Sequence, residues 1–171
     1  WVDEEDYELL GKAGASLAHN PVSNLKLGSG IMPLIKAVQA GVNVVLGTDG
    51  MSSNDGQNIF EAMKFAALLQ KVTTPDYRQW LTSRQIMAMA AENGARSLRR
   101  TKETGSLEPG KDGDLILLDK NSISFTPCNH YYNQLVYCEH GESVKAAMVK
   151  GKMILKDGKL CQADERKIIE E

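Results

Sequence analysis

The first hundred residues of this chain offer only two buried-looking strands, residues 15–18 (ASLA) and 42–46 (VNVVL). That shortage constrains the fold more than any other feature. The second stretch is Val-rich and does not alternate polar with apolar, so it reads as buried on both faces, as in a parallel sheet. A loop follows each strand, from His19 through Ser23-Asn24 to Gly30 and over residues 50–54, and helices surround both strands. Residues 3–13 place acids in a first turn, where they suit the helix dipole. Ile31, Leu34, Ile35 and Val38 recur at helical spacing, with Gly41 suited to close that helix. A long helix is predicted over 57–71, with Ile59, Phe60, Met63, Ala66, Ala67 and Gln70 on one side. Thr82-Ser83-Arg84-Gln85 is a capping box that opens a helix to about Glu92. Strands alternating with helices build a barrel or an open parallel sheet, an α/β class. Two parallel strands cannot form a sheet buried on both faces, so their partner strands must come from elsewhere.

The character changes after Gly94. Residues 105–114 (GSLEPGKDGD) are turn chemistry. Leu115–Leu118 reads as a strand, and Val144–Val149 with 153–155 as a hairpin around Lys150-Gly151-Lys152. A short apolar run at 135–138 reads as a further strand. Residues 105–161 are therefore expected to form a small β module, and 162–171 a charged tail that frays.

The bulk numbers exclude several functions. Net charge is −2 with no basic cluster, which speaks against a nucleic-acid surface. No apolar run approaches the ~20 residues of a membrane span, so no membrane partner is expected. No segment reads as a signal peptide. Three cysteines are too few and of the wrong parity for a disulfide framework, which favours a reducing cytoplasm. The chain begins at Trp1 rather than Met, as a processed product or a piece of something longer would.

Asp49 ends the second strand, where barrel active sites are built, although a turn or capping aspartate has the same spacing. A carboxylate there is costly unless something pairs with it. His19 ends the first strand, although a lone loop histidine bonded to backbone is commoner. Two polar residues at adjacent strand ends raise the odds of one shared site, with Asn20, Ser23, Asn24, Ser52, Ser53 and Asn54 as hydrogen-bonding groups around it. Two rivals are weaker. Cys128-Asn129-His130 and Cys138-Glu139-His140 repeat Cys-x-His, and on strands these four side chains could meet at a zinc ion. Gly28-Ser29-Gly30 before a helix could seat a phosphate but lacks the Lys-Ser/Thr of a phosphate-binding loop.

Taken together, Ala18-His19-Asn20-Pro21-Val22-Ser23-Asn24-Leu25-Lys26-Leu27, Gly47-Thr48-Asp49-Gly50 with Ser52-Ser53-Asn54, and Phe60-Glu61-Ala62-Met63 resemble the amidohydrolase superfamily. The branch is similar to the 5-methylthioadenosine/S-adenosylhomocysteine deaminases and chlorohydrolases. Gly105 to Lys111, then Asp114-Leu115 and Val149-Lys150-Gly151-Lys152, resemble that family's C-terminal β module. The resemblance implies the C-terminal portion of a (β/α)8 TIM barrel in residues 1–104, holding the last two βα units, and part of a β-sandwich module in 105–161. It implies a divalent metal, most often zinc with iron as the alternative, held by a His-x-His pair, two further histidines and an aspartate. Asp49 matches that aspartate, as metal ligand and as acceptor of the proton from the attacking water. His19 matches a pocket histidine; Asn20, Ser23, Asn24 and Ser53 are expected to contact a purine-type substrate. The sequence has three histidines and no His-x-His. The expectation is thus a fragment, inactive and metal-free alone, that associates with the missing N-terminal portion or a second copy. Guanine deaminase-like and triazine hydrolase-like parents, or a non-catalytic interaction domain, are the alternatives.

Overall fold

The computed structural model describes residues 2–170; Trp1 and Glu171, the ends of the expected first and last segments, lie outside the described residues. Helix α1 (Glu4–Lys12) opens with a capping box in which Asp3 and Asp6 each accept the other's backbone N–H. Strand β1 (Ser16–His19) follows, then α2 (Pro21–Lys26), α3 (Leu34–Gln39) and β2 (Asn43–Leu46). β1 and β2 pair in parallel, Ser16 opposite Asn43 and His19 opposite Leu46. The crossover through α2 and α3 is what a parallel pair requires. Gly41 does end α3 with a positive φ of 81°.

After β2 come a helical turn, α4 (Met51–Asn54), and the long α5 (Ile59–Thr73), capped by the Asn58 side chain. α5 buries Phe60, Ala62, Met63, Ala66, Ala67 and Gln70, close to the face expected from its spacing. Gln70 is the buried polar member, and it is satisfied: it donates to Leu81 O and accepts from Leu81 N at 2.8 Å. The next helix, α6 (Ser83–Ala90), begins with the Thr82–Gln85 capping box, and α7 (Glu92–Ser97) follows after a break at Ala91. Leu34, Val44, Met63, Ile86, Met89 and Val136 meet in one core beneath the β1–β2 pair.

α1 lies against α3 at Gly11. A Cβ built on Gly11 would stand 1.9 Å from Ala40 O, a backbone atom with nowhere to go. Gly11→Ala should therefore destabilise the protein by about 2–3 kcal/mol, despite alanine's better helix propensity. A urea melt measures it; no loss would mean that α1 does not seat on α3 this closely.

The second half is an antiparallel sheet in the order β3 (Leu115–Leu118), β4 (Val144–Val149), β5 (Lys152–Lys156), β6 (Lys159–Leu160). Both hairpin turns, Lys150-Gly151 and Asp157-Gly158, have positive φ at each central residue, the tight primed turns that suit twisted strands.

Four local expectations fail. The chain after Pro21 is helix α2 rather than loop: proline at its first position presets φ and lacks only an N–H that would have gone unused. The 50–54 stretch is not irregular but contains α4. Residues 135–138 are not a strand. Short α8 (Tyr131–Asn133) continues as a π-helical turn, Gln134–Cys138. An apolar run that short carries no period; here Val136 sinks into the core, and Lys71 of α5 donates to the Tyr137 hydroxyl at 3.1 Å. The charged tail forms a helix, α9 (Glu165–Glu170), with no buried residue.

Candidate active site

Of the two residues singled out as strand ends, His19 closes β1 and Asp49 follows the C-terminal end of β2 in the turn beyond it. His19 is the last residue of β1 and is 3% exposed. Its Nδ1 is buried with no hydrogen-bond partner among the described residues. Burial lowers its pKa to about 4, so the ring is neutral at physiological pH. His19 and Asn24 line a cavity of about 280 Å³ with Tyr7, Leu17, Gly30 and Met32.

Asp49 stands three residues beyond β2, exposed, with a left-handed φ of 61° that Asp tolerates better than most residues. Its carboxylate is held from two sides. The Ser23 hydroxyl of α2 donates to Oδ2 at 2.7 Å, and the Gly50 N–H donates to Oδ1 at 2.8 Å. Ser23, the Gly50 N–H and Ser53 together hold its pKa below the usual carboxylate range. Asp49 is therefore not a helix cap, since the cap position of α4 is Gly50; it is an exposed turn acid whose two oxygens are both hydrogen-bonded.

The remaining candidates sort by what their side chains touch. Asn20 abuts the strand end: its Oδ1 lies 2.3 Å from where a Cβ on Gly47 would be, so Gly47 keeps that space open. Ser53 donates to Gly50 O at 3.0 Å, and Asn54 donates its amide to Thr48 O. These two brace the turn that carries Asp49. Asn24 lines the His19 cavity. Ser52 is exposed, and its carbonyl accepts from Lys26 Nζ at 3.3 Å. Lys26 also pairs with Asp55 at 2.5 Å, tying α2 to the end of α4. Sequence reasoning gave Lys26 no role. It lies three residues after Ser23, on the same helical face, and that signal was hidden while 21–26 read as a loop.

The Cys-x-His pairs do not converge. The four residues belong to a helical segment and its flanks, not to neighbouring strands. Cys128 and Cys138 are exposed, the His130 ring accepts from Asn133 N, and the His140 ring meets Cys138 O at 3.2 Å. The buried member is the residue between them: Glu139, 2% exposed, accepts the backbone N–H groups of His140, Gly141 and Ser143 on one oxygen. The Gly28-Ser29-Gly30 loop likewise makes no phosphate cradle, because α3 starts only at Leu34, behind Pro33.

As a donor set for a divalent metal, these residues fall short. Asp49 offers a set carboxylate with lone pairs to spare, but among the described residues no three His, Cys, Asp or Glu side chains come together. What the chain presents by itself is an ionised, oriented carboxylate after β2 and, at the end of the paired strand β1, a cavity bearing a neutral imidazole. Such a carboxylate can accept a proton or complete a cation site whose other donors lie outside this chain.

Residues 1–154 match the model of the amidohydrolase family. The whole chain is 43% identical to a 5'-deoxyadenosine deaminase of Methanosarcina barkeri and covers 39% of it. It is 36% identical to a 5-methylthioadenosine/S-adenosylhomocysteine deaminase of Caldicellulosiruptor saccharolyticus, again over the full chain and 39% of the relative. Among solved structures, an adenosine deaminase from Xanthomonas campestris with bound zinc superposes with a TM-score of 0.94 at 32% identity, over 99% of this chain and 38% of that one. The chain thus spans about two fifths of the length of the relatives it matches.

Proposed function

Since this chain belongs to the amidohydrolase family, we propose that it is the C-terminal part of an enzyme that hydrolytically deaminates an adenosine-type nucleoside. The substrate class is that of the 5'-deoxyadenosine and 5-methylthioadenosine/S-adenosylhomocysteine deaminases it resembles. One observation carries the reading: the exposed, ionised Asp49 carboxylate, fixed by Ser23 at the C-terminal end of β2. In hydrolytic deamination water adds to the amine-bearing ring carbon and ammonia leaves, so a proton must travel from water to the departing nitrogen. An ionised carboxylate at the reacting carbon can take that proton and pass it on. The neutral His19 ring and the Asn24 amide, which line one cavity, would supply hydrogen bonds that orient the base.

The two parallel strands are read as the closing pair of a (β/α)8 barrel, with the other strands and the metal's remaining donors supplied by residues outside this chain. A divalent ion, zinc or alternatively iron, supplies Lewis acidity when bound. Three exposed, unpaired cysteines support a reducing, cytoplasmic setting.

The test compares this chain with a full-length version carrying the preceding part of the enzyme. The chain alone should hold no stoichiometric zinc or iron and release no ammonia from 5'-deoxyadenosine or 5-methylthioadenosine. The full-length protein should do both. Turnover and stoichiometric metal in the chain alone would place the donors inside it; no turnover of either nucleoside by the full-length protein would overturn the substrate class.

A further inference from the structure

We propose that Ser23 is a positioning residue that sets the orientation of the Asp49 carboxylate, and not a substrate contact; this rests on the deaminase reading of Asp49. Three observations lead to it. Ser23 is 1% exposed, so no substrate reaches its side chain, whereas Asp49 is open to solvent. A helical serine ordinarily returns its hydroxyl to a carbonyl one turn back; Ser23 instead sends it across 26 residues to Asp49 Oδ2 at 2.7 Å. Finally, Asp49 has no packing of its own to fix it. It sits exposed on a left-handed turn, and an exposed aspartate samples several side-chain rotamers. The hydroxyl arrives on a braced support: Pro21 starts α2, and Lys26 ties the far end of α2 to Asp55 and Ser52 O beyond the Asp49 turn. With Oδ2 taken by Ser23 and Oδ1 anchored by Gly50 N–H, the carboxylate plane is fixed and its outer lone pairs point one way before any reactant arrives.

Substrate contact and positioning predict different kinetics. Loss of a positioning bond lowers kcat and leaves KM in place; loss of a substrate contact raises KM. In the full-length enzyme acting on 5'-deoxyadenosine, Ser23→Ala should lower kcat about 10- to 100-fold, the range expected for losing a hydrogen bond to a charged group. KM should change less than about twofold, and Ser23→Thr, which keeps the hydroxyl, should recover most of kcat. A raised KM with unchanged kcat would overturn the proposal. Alanine is smaller than serine and leaves the fold intact, which a melting curve verifies; threonine adds a methyl in a buried place, so its kcat is read only once the same melt shows it folded. A crystal structure of the Ser23→Ala protein decides the matter independently of activity. The Asp49 carboxylate should be found displaced or in more than one rotamer; an unmoved, single carboxylate overturns the inference. If the unmutated enzyme turns over no purine nucleoside, the functional reading fails by itself, and the crystal structure still judges Ser23.

Discussion

Asp49→Asn is expected to lower kcat/KM of the assembled enzyme about a thousandfold, within the range for losing a positioned proton-transfer group, while barely moving its melting temperature. The two halves of that expectation have different causes. Asparagine has the same shape, and it is among the residues that best tolerate the left-handed φ of 61° at this turn. Its amide oxygen can still accept the Ser23 hydroxyl that now reaches Oδ2 at 2.7 Å. What it cannot do is carry a negative charge or take up a proton. The side chain is exposed, so the core beneath β2 is indifferent to the change. Steady-state ammonia release and a thermal melt on the same preparation test both halves. Retained activity would show that Asp49 is a brace for the loop, and the deaminase reading would lose its central residue.

The largest stability effect is expected at His19, and its sign follows from protonation. The folded pKa is about 4, against 6.5 for an exposed histidine, because burial disfavours the charged ring. Above pH 6.5 neither folded nor unfolded chain binds the proton, and the fold keeps its full stability. As pH falls from 6.5 toward 4 the unfolded state takes up a proton that the folded state refuses, so stability falls. Below about 4 both states are protonated and this loss stops growing. The whole shift corresponds to about 3 kcal/mol, a large share of an ordinary domain's margin. Carboxylates held below their usual range, such as Asp49 and Asp114, act in a lower window, near and below pH 4. Urea melts at intervals between pH 7.5 and 4.5 should show the decline, and His19→Gln should flatten it. An equally steep decline in the variant would assign the acid sensitivity elsewhere.

How much of this was legible in the residues differs from element to element. The capping box at Thr82–Gln85, the buried face of α5 and the two hairpin turns were all readable, because each is a local pattern whose partners lie within a few residues. The β1–β2 pair was readable as parallel from the Val-rich run alone. Residues 135–138 were not: the same four-residue apolar run serves a strand or a helix, and only the surface offered by α5 chose the helix. Asp49 and His19 stood out by position, as polar residues ending apolar strands.

The sequence by itself determined which residues could do chemistry and where the longer, strongly patterned elements lie, since those follow from side-chain type and short-range spacing. Only the tertiary structure decided what those residues do to one another. It buried His19 and thereby kept its ring neutral, it aimed the buried Ser23 hydroxyl at Asp49, and it kept the Cys-x-His pairs apart. The physical reason is that burial and long-range hydrogen bonds depend on which elements meet, here α2 and the turn after β2, separated by 26 residues of chain.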